Sequence, residues 1–306
     1  MIKAPPTPKG FRDIKPEMAK KRREVINKIA SVLEEFNFVP IETPTIEFAE
    51  TLKGKYGEEE RLIYEFTDRG GRKLALRYDL TVPLARYTAT YNPPLPFRRY
   101  QVGQVFRGEN PQKGRFREFT QFDFDTVGLT AEADSSIIED ALVIAAAIKA
   151  ARDIGLDKTI MAINDRRNFS DIPPEAIRAF DKLNKIGMDG VKAEILNNNY
   201  SSEDFEKFKF LITTGKKSAA LGKLLAILKK EYGLTENQDF FFDPTLARGL
   251  DYYTSTIFEL KPSADPKSLS IGGGGRYDNL IGMFSKKDTP AVGFSFGLDR
   301  LLEILV

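Results

Sequence analysis

The sequence predicts an α+β fold: a large antiparallel sheet flanked by helices, with a helical segment inserted before the last strands. Three observations carry this. The strand-like runs Arg98–Arg107 and Arg117–Val127 are separated only by a polar loop, which suits an antiparallel pair with an extended tip. Helical patterns are segregated instead of alternating with strands, which disfavours a doubly wound parallel sheet. From Asn164 to about Gln238 the chain turns to short helical patterns rich in Lys, Glu and Asn, entered through Pro173-Pro174. The 306 residues therefore divide into a first core part (1–163), a separately packed helical insertion (164–238) and a second core part (239–306).

The first helix is expected from Pro16 to near Asn37. Proline suits a first helical position, and Met18, Val25, Ile26, Ile29, Val32, Leu33 and Phe36 recur at three- and four-residue spacing. A hairpin follows, Arg61–Phe66 with Arg72–Arg77, joined by the turn signal Asp68-Arg69-Gly70-Gly71. Leu80–Tyr91 reads as a helix stopped by Asn92-Pro93-Pro94. After the two long strands, Ala131–Ile154 is apolar nearly all round and predicts a well-buried helix. Beyond the insertion, strands are expected at Phe240–Asp243, Tyr252–Leu260 and Ala291–Gly297, then a last helix, Leu298–Leu305.

Composition narrows the chemistry. Lys and Arg total 46 and Asp and Glu 44, a net charge of +2, too balanced for a protein that coats nucleic acid non-specifically. With Cys 0 and His 0, disulfides, thiol nucleophiles, zinc–thiolate sites, imidazole ligands and Ser-His-Asp catalysis are excluded, and no resident metal is expected. What remains must use Arg, Lys, Asp, Glu, Tyr and bound ions. The longest apolar run, Ala141–Ile148, falls far short of the roughly 18 residues that span a bilayer, and MIKAPPTPKG contains no signal-like apolar segment. A cytoplasmic protein without membrane contact is expected.

Strand parity locates a candidate site. Successive strand side chains point to opposite faces, so Arg117, Phe119, Gln121, Asp123 and Asp125 share one face and Glu118, Thr120, Phe122 and Phe124 the other. On the partner strand Gly103, Val105 and Arg107 share a face, which can place Arg107 beside Gln121 and Asp125. A plain solvated face is the ordinary explanation of such a polar row. Arginines, an amide and carboxylates on one floor instead suit a zwitterion or a nucleotide.

These residues also carry a resemblance. FRGENPQKGRFREFTQFDFD (Phe106–Asp125) closely resembles motif 2 of class II aminoacyl-tRNA synthetases, specifically that of the histidyl-tRNA synthetase family. RYDLTVPLAR (Arg77–Arg86) is similar to the family's amino-acid-binding segment, ARGLDYYTSTIFEL (Ala247–Leu260) to its histidine signature, and GGGGRYDNLIG (Gly272–Gly282) to the glycine-rich stretch that follows. AVGFSFGLDRL (Ala291–Leu301) resembles motif 3, IETPTIE (Ile41–Glu47) the motif 1 region and PKGFRD (Pro8–Asp13) the family's opening. The order is right and nearly the whole chain is covered.

The resemblance implies an antiparallel class II synthetase fold and these roles. Asp79, Thr81 and Gln121 hold the substrate's amino group; Asp125 and Tyr253 read its imidazole; Tyr252 and Tyr277 line the pocket. Arg107 grips the α-phosphate of ATP and the substrate carboxylate, Glu109 meets the adenine amino group, Phe119 stacks on the base, and Arg115 and Arg300 hold the β- and γ-phosphates. Arg248 stands at the reacting phosphate. Fixed cations suit nucleotidyl transfer, which needs little proton transfer. The implied reaction joins histidine to ATP, with Mg2+ carried on the nucleotide, and then charges the acceptor end of tRNA(His). A homodimer is implied through motif 1, with the Pro16–Phe36 helix and Pro44 as its counterpart.

Simpler readings stand beside these. Arg86 and Arg300 would by themselves be solvated helix residues, Tyr252-Tyr253 core with tethered hydroxyls, and the basic runs Lys20–Arg23, Lys216-Lys217 and Lys229-Lys230 solvated faces. Gly272–Gly275 lacks the Lys-Ser or Lys-Thr of a Walker loop, so close backbone approach in a strand is the better reading. The chain stops just after motif 3, so the anticodon-binding domain is expected to be absent, and Ser255 stands where the family has a glycine-like position. The alternative function is that of the non-aminoacylating paralogue, the regulatory subunit of ATP phosphoribosyltransferase. Such paralogues erode the ATP-gripping and signature residues, whereas Arg107, Glu109, Arg115, Arg248 and Arg300 all stand here.

Overall fold

The computed structural model describes residues 5–111, 114–130, 132, 134–247, 252–265 and 268–305. The chain opens with α1 (Pro16–Glu35), β1 (Val39–Pro40), β2 (Ile46–Phe48), α2 (Ala49–Leu52), β3 (Glu65–Thr67), β4 (Lys73–Leu76) and α3 (Thr81–Tyr91). The long pair β5 (Phe97–Phe106) and β6 (Glu118–Val127) leads to α4 (Ser135–Asp153) and β7 (Ile160–Asp165). Four helices follow, α5 (Pro174–Asp181), α6 (Leu183–Asn197), α7 (Ser202–Thr213) and α8 (Ala219–Lys230). The chain then returns through β8 (Phe240–Phe242), β9 (Thr256–Lys261), β10 (Gly272–Arg276), β11 (Ala291–Gly297) and α9 (Leu298–Leu305).

Eight strands form one sheet in the order β1-β5-β6-β11-β10-β9-β7-β8, antiparallel except for the parallel outer pairs β1–β5 and β7–β8. A small second sheet, β2-β4-β3, contains the expected hairpin. Its first strand begins at Glu65, because Gly57–Leu62 winds into a 3-10 turn. The strand expected from Tyr252 begins only at Thr256, so the two tyrosines precede it.

Parity divides the large sheet into two unlike faces. Phe122 and Phe124 of β6, Phe294 and Phe296 of β11 and Phe258 of β9 join one apolar core, covered by the buried stripe of α1 (Val25, Ile29, Val32, Leu33), by α4 and by α9. The glycines of β10 make room for these rings. Phe258 and Phe294 stack 6.2 Å apart across Gly274, where a Cβ would lie 2.8 Å from Phe258 and 1.9 Å from the Gly293 carbonyl oxygen. Close approach is therefore the role of this run. The opposite face carries Gln121, Asp123 and Asp125 and forms the floor of a cleft.

The segment expected to pack separately is split between the two faces. The buried residues of α5, α7 and the inner side of α6 join the second core, on the cleft side, with Tyr253 and Tyr277. In contrast, α8 inserts Leu221, Leu224, Leu225 and Leu228 into the main core and packs against α4. The boundary expected after residue 163 also falls inside β7. Amphipathic helices look alike in sequence whichever surface they meet, which is why the periodicity did not separate α8 from its neighbours.

No helix among the described residues is long and apolar enough to cross a membrane. Gly274→Ala is expected to cost about 2–3 kcal/mol through overpacking. Gly222→Ala, on the exposed side of α8 with open space around it, should be neutral or slightly stabilising. Urea denaturation of both variants checks this contrast.

Candidate active site

A cleft of about 480 Å³ opens over the polar face of the sheet. Its floor is the odd row of β6. Asp125 lies directly across from Arg99 of β5, and their side chains form an ion pair at 2.6 Å with essentially no exposed surface. The Tyr277 hydroxyl donates to the other carboxylate oxygen at 2.5 Å. Gly293 faces Asp125 on the other side; a Cβ there would lie 1.7 Å from Oδ1, so glycine is what lets the carboxylate lie flat between strands.

Tyr277 is itself placed by its predecessor. Arg276 donates through Nε and Nη2 to Asp140 of α4 at 3.0 and 2.6 Å, clamping the end of β10 onto the helix behind it. Tyr252 and Tyr253 pack edge-on to each other at 5.0 Å, and Tyr252 meets Tyr277 at 5.9 Å.

Asp79 sits just ahead of α3. Its Oδ1 accepts from the Val82 backbone N–H at 3.0 Å and from the Tyr56 hydroxyl at 2.9 Å, while buried Oδ2 has no donor among the described residues. Gln121 behaves alike: Nε2 donates to Ser295 Oγ at 2.9 Å and Oε1 has no donor among the described residues. Asp123 Oδ1 is a third such acceptor. Three buried acceptors with no donor among the described residues favour a ligand rich in N–H groups, because a buried polar group left unpaired costs about 1–3 kcal/mol.

The rim is cationic and aromatic. Arg107 lies between the Tyr78 and Phe119 rings, 4.3 and 5.1 Å from their centroids, and donates through Nε to the Tyr78 carbonyl at 3.2 Å. Burial disfavours its charge, but the neighbouring Tyr78, Glu59, Asp79 and Glu109 more than restore it. Glu109 and Arg115 face each other at 3.5 Å. Arg300 reaches the Ser270 carbonyl at 2.7 Å from the first turn of α9. Its neighbour Asp299 accepts from the Thr120 N–H at 2.8 Å and from Arg22 at 2.6 Å, and also binds Arg12. Arg22 therefore pins the start of α9, and the run Lys20–Arg23 is not simply a solvated face.

Of the residues singled out in sequence, Asp79, Thr81, Arg107, Glu109, Arg115, Phe119, Gln121, Asp125, Tyr252, Tyr253, Tyr277 and Arg300 all line this cleft. Arg248 lies outside the described residues. Arg86 is neither solvated nor in the cleft, since it binds buried Glu47 at 2.8 Å. Arg99, Ser295 and Tyr56 escaped the sequence reading. Arg99 was within reach, because extending the β5 parity from Arg107 back through Gly103 arrives at it. Tyr56 left no signal, since its partner belongs to another element.

Burial raises the pKa of Asp79, Asp123 and Asp125, and their mutual repulsion adds to the effect at Asp123 and Asp125. Arg99 opposes the rise at Asp125; at Asp123, where Arg99 and Ser295 oppose it less completely, the value is pushed up to about 7. Burial also holds Tyr56, Tyr252 and Tyr277 well above the ordinary tyrosine range, leaving them neutral hydroxyl donors.

A sequence profile described as Histidyl-tRNA synthetase matches residues 10–301. The chain belongs to the histidyl-tRNA synthetase family. Curated relatives named histidine--tRNA ligase agree. The Aeropyrum pernix protein is 39% identical over 98% of this chain and 74% of its own length, and the Rhodopirellula baltica protein 40% identical over 98% and 74%. Among solved structures, the histidyl-tRNA synthetase of Nostoc superposes with a TM-score of 0.78 at 29% identity, covering 100% of this chain and 76% of that one. A Bacillus halodurans structure described as an ATP phosphoribosyltransferase regulatory subunit/histidyl-tRNA synthetase also gives 0.78, at 24% identity over 100% and 84%. Shared fold alone thus does not separate a synthetase from a regulatory relative within the family.

The raised Asp123 pKa has a stability consequence. Between its unfolded value near 3.8 and its folded value of about 7, the folded chain keeps a proton that the unfolded chain has lost, so stability falls as pH rises through that window. Asp123→Asn carries no such proton. Its stability relative to wild type should therefore increase from pH 5 to pH 8 in urea titrations; an identical gap at both pH values would contradict the assignment.

Proposed function

We propose that this chain is a histidine--tRNA ligase: it activates histidine with ATP to histidyl-adenylate and transfers the histidyl group to the 3′ end of tRNA(His) in the cytoplasm. The observation that carries the reading is a pair of acceptors with no donor among the described residues, Asp79 Oδ2 and Gln121 Oε1, on the same floor as Asp125 and beneath the Arg107 rim. An α-ammonium satisfies the first two, an imidazole N–H suits the carboxylate held by Tyr277, and a carboxylate or phosphate suits Arg107.

In the first step a substrate carboxylate oxygen attacks the α-phosphorus of ATP, the bond to pyrophosphate breaks, and a mixed anhydride forms. Charge on the phosphoryl oxygens is met by Arg107, with Arg248 as its proposed partner at the reacting phosphate. Arg115 and Arg300 hold the leaving pyrophosphate, Glu109 the adenine amino group and Phe119 the base. Thr81 adds an acceptor for the ammonium, Tyr253 a second contact to the imidazole and Tyr252 a wall. The terminal ribose hydroxyl of the tRNA then attacks the acyl carbon and AMP departs. No step needs an imidazole or thiol from the protein, and Mg2+ enters with ATP as part of the substrate.

A homodimer is proposed through the small sheet. Ile46, Phe48 and Phe66 share one face and are 45%, 50% and 40% exposed, an apolar patch suited to a second copy of itself. The stripe of α1 is already used inside the core. Zero cysteines suit a reducing compartment.

Histidine-dependent exchange of labelled pyrophosphate into ATP is the direct test. Wild type should exchange, and Arg107→Ala should lose at least about 100-fold, as expected for removing a charge-stabilising donor. Well-folded protein with no exchange would favour the regulatory relative instead. Sedimentation should give a dimer, and Phe48→Glu a monomer.

A further inference from the structure

Tyr56 stands on the loop between α2 and the 3-10 turn Gly57–Leu62, 4% exposed, and the reaction above does not use it. Its place is held from two sides. Glu60 Oε1 accepts from the Lys55 and Tyr56 backbone N–H groups at 2.9 and 3.4 Å, and the Tyr56 ring packs on Tyr78 with centroids 4.6 Å apart. The hydroxyl is thereby brought to Asp79, where it donates to Oδ1 at 2.9 Å beside the Val82 N–H at 3.0 Å. Two donors from different elements on one oxygen fix the plane of the carboxyl, since turning it about the Cβ–Cγ bond would break both. Oδ2 is the oxygen left over, in a residue that lines the cleft, and it has no donor among the described residues. Burial disfavours the negative charge of Asp79, and the same two donors, together with Arg107, oppose that effect.

We propose that Tyr56 is a positioning residue: by occupying Asp79 Oδ1 it holds Oδ2 as the acceptor offered to the substrate's α-ammonium, and so sets the preference for an α-amino acid over an analogue without the amino group. The inference rests on the reading of the site as histidine-activating. Asp79 makes the contact, and Tyr56 acts only through it. Without the hydroxyl, Oδ1 keeps a single donor. The carboxyl is then free to swing about that donor, or to take a proton on Oδ2 that sets an O–H against the ammonium.

Calorimetry with two ligands tests it: histidine, and imidazolepropionate, which keeps the ring and carboxylate but lacks the amino group. Tyr56→Phe keeps the ring and its packing on Tyr78 and removes only the hydroxyl. It should weaken histidine about tenfold, the size of one hydrogen bond to a charged group, and leave imidazolepropionate within about twofold. In an Asp79→Asn background, which already lacks the carboxylate, Tyr56→Phe should add less than about twofold to the loss of histidine affinity. Equal weakening of both ligands by Tyr56→Phe would overturn the proposal in favour of a general packing role. A full tenfold further loss in the Asp79→Asn background would overturn it in favour of a route to the ligand that bypasses Asp79. Wild type that neither binds histidine nor supports exchange would overturn the parent reading as well. Exchange-competent protein whose histidine affinity is unaffected by Tyr56→Phe would overturn the positioning role alone.

Discussion

A guanidinium with none of its surface exposed, Arg99, lies 2.6 Å from the carboxylate of Asp125, between the second and third strands of an eight-stranded sheet. An isolated charge at that depth is prohibitively costly, and removing one partner of a buried pair typically costs about 3–5 kcal/mol. The rest of the floor is arranged around this pair. Asp125 can remain an acceptor because Arg99 neutralises it and Tyr277 donates to it; Tyr277 reaches it because Arg276 is clamped to Asp140. Gly293 leaves the carboxylate the space it occupies.

The same strands serve two incompatible environments because side chains alternate. One face of β6, β11 and β9 is built from phenylalanine rings that stack through the glycines of β10; the other holds acids, an amide and a serine. A well-packed apolar layer on one side makes the sheet a rigid platform, so the polar groups on the other need not move far to meet a ligand. That rigidity serves the proposed nucleotidyl transfer, in which fixed positive charge does most of the work. Arg107, held between two rings and tied to the Tyr78 carbonyl, and Arg300, placed by an α9 start that Arg12 and Arg22 hold down, are both fixed in advance.

Much of this was legible in the chain. Periodicity located α1, α3 and α4, the Asp68–Gly71 turn marked the hairpin, and parity on β6 separated Phe122 and Phe124 from Gln121, Asp123 and Asp125. What escaped has a common cause. Arg99 with Asp125, Ser295 with Gln121, Tyr56 with Asp79 and Arg22 with Asp299 are pairs whose members belong to different elements, and single-chain patterning carries no information on which elements become neighbours. The place of α8 in the main core is the same failure on a larger scale.

The sequence by itself determined the strand alternation, the absence of any imidazole or thiol, and hence a chemistry of arginines and carboxylates. Those are properties of residue type and local spacing, which the chain carries whatever its fold. Tertiary structure decided the surroundings of each group: which acid is paired with a buried arginine and which is pushed up toward neutral pH by burial. These depend on desolvation and on partners brought within about 3 Å across strands, and neither exists until the sheet has closed its register.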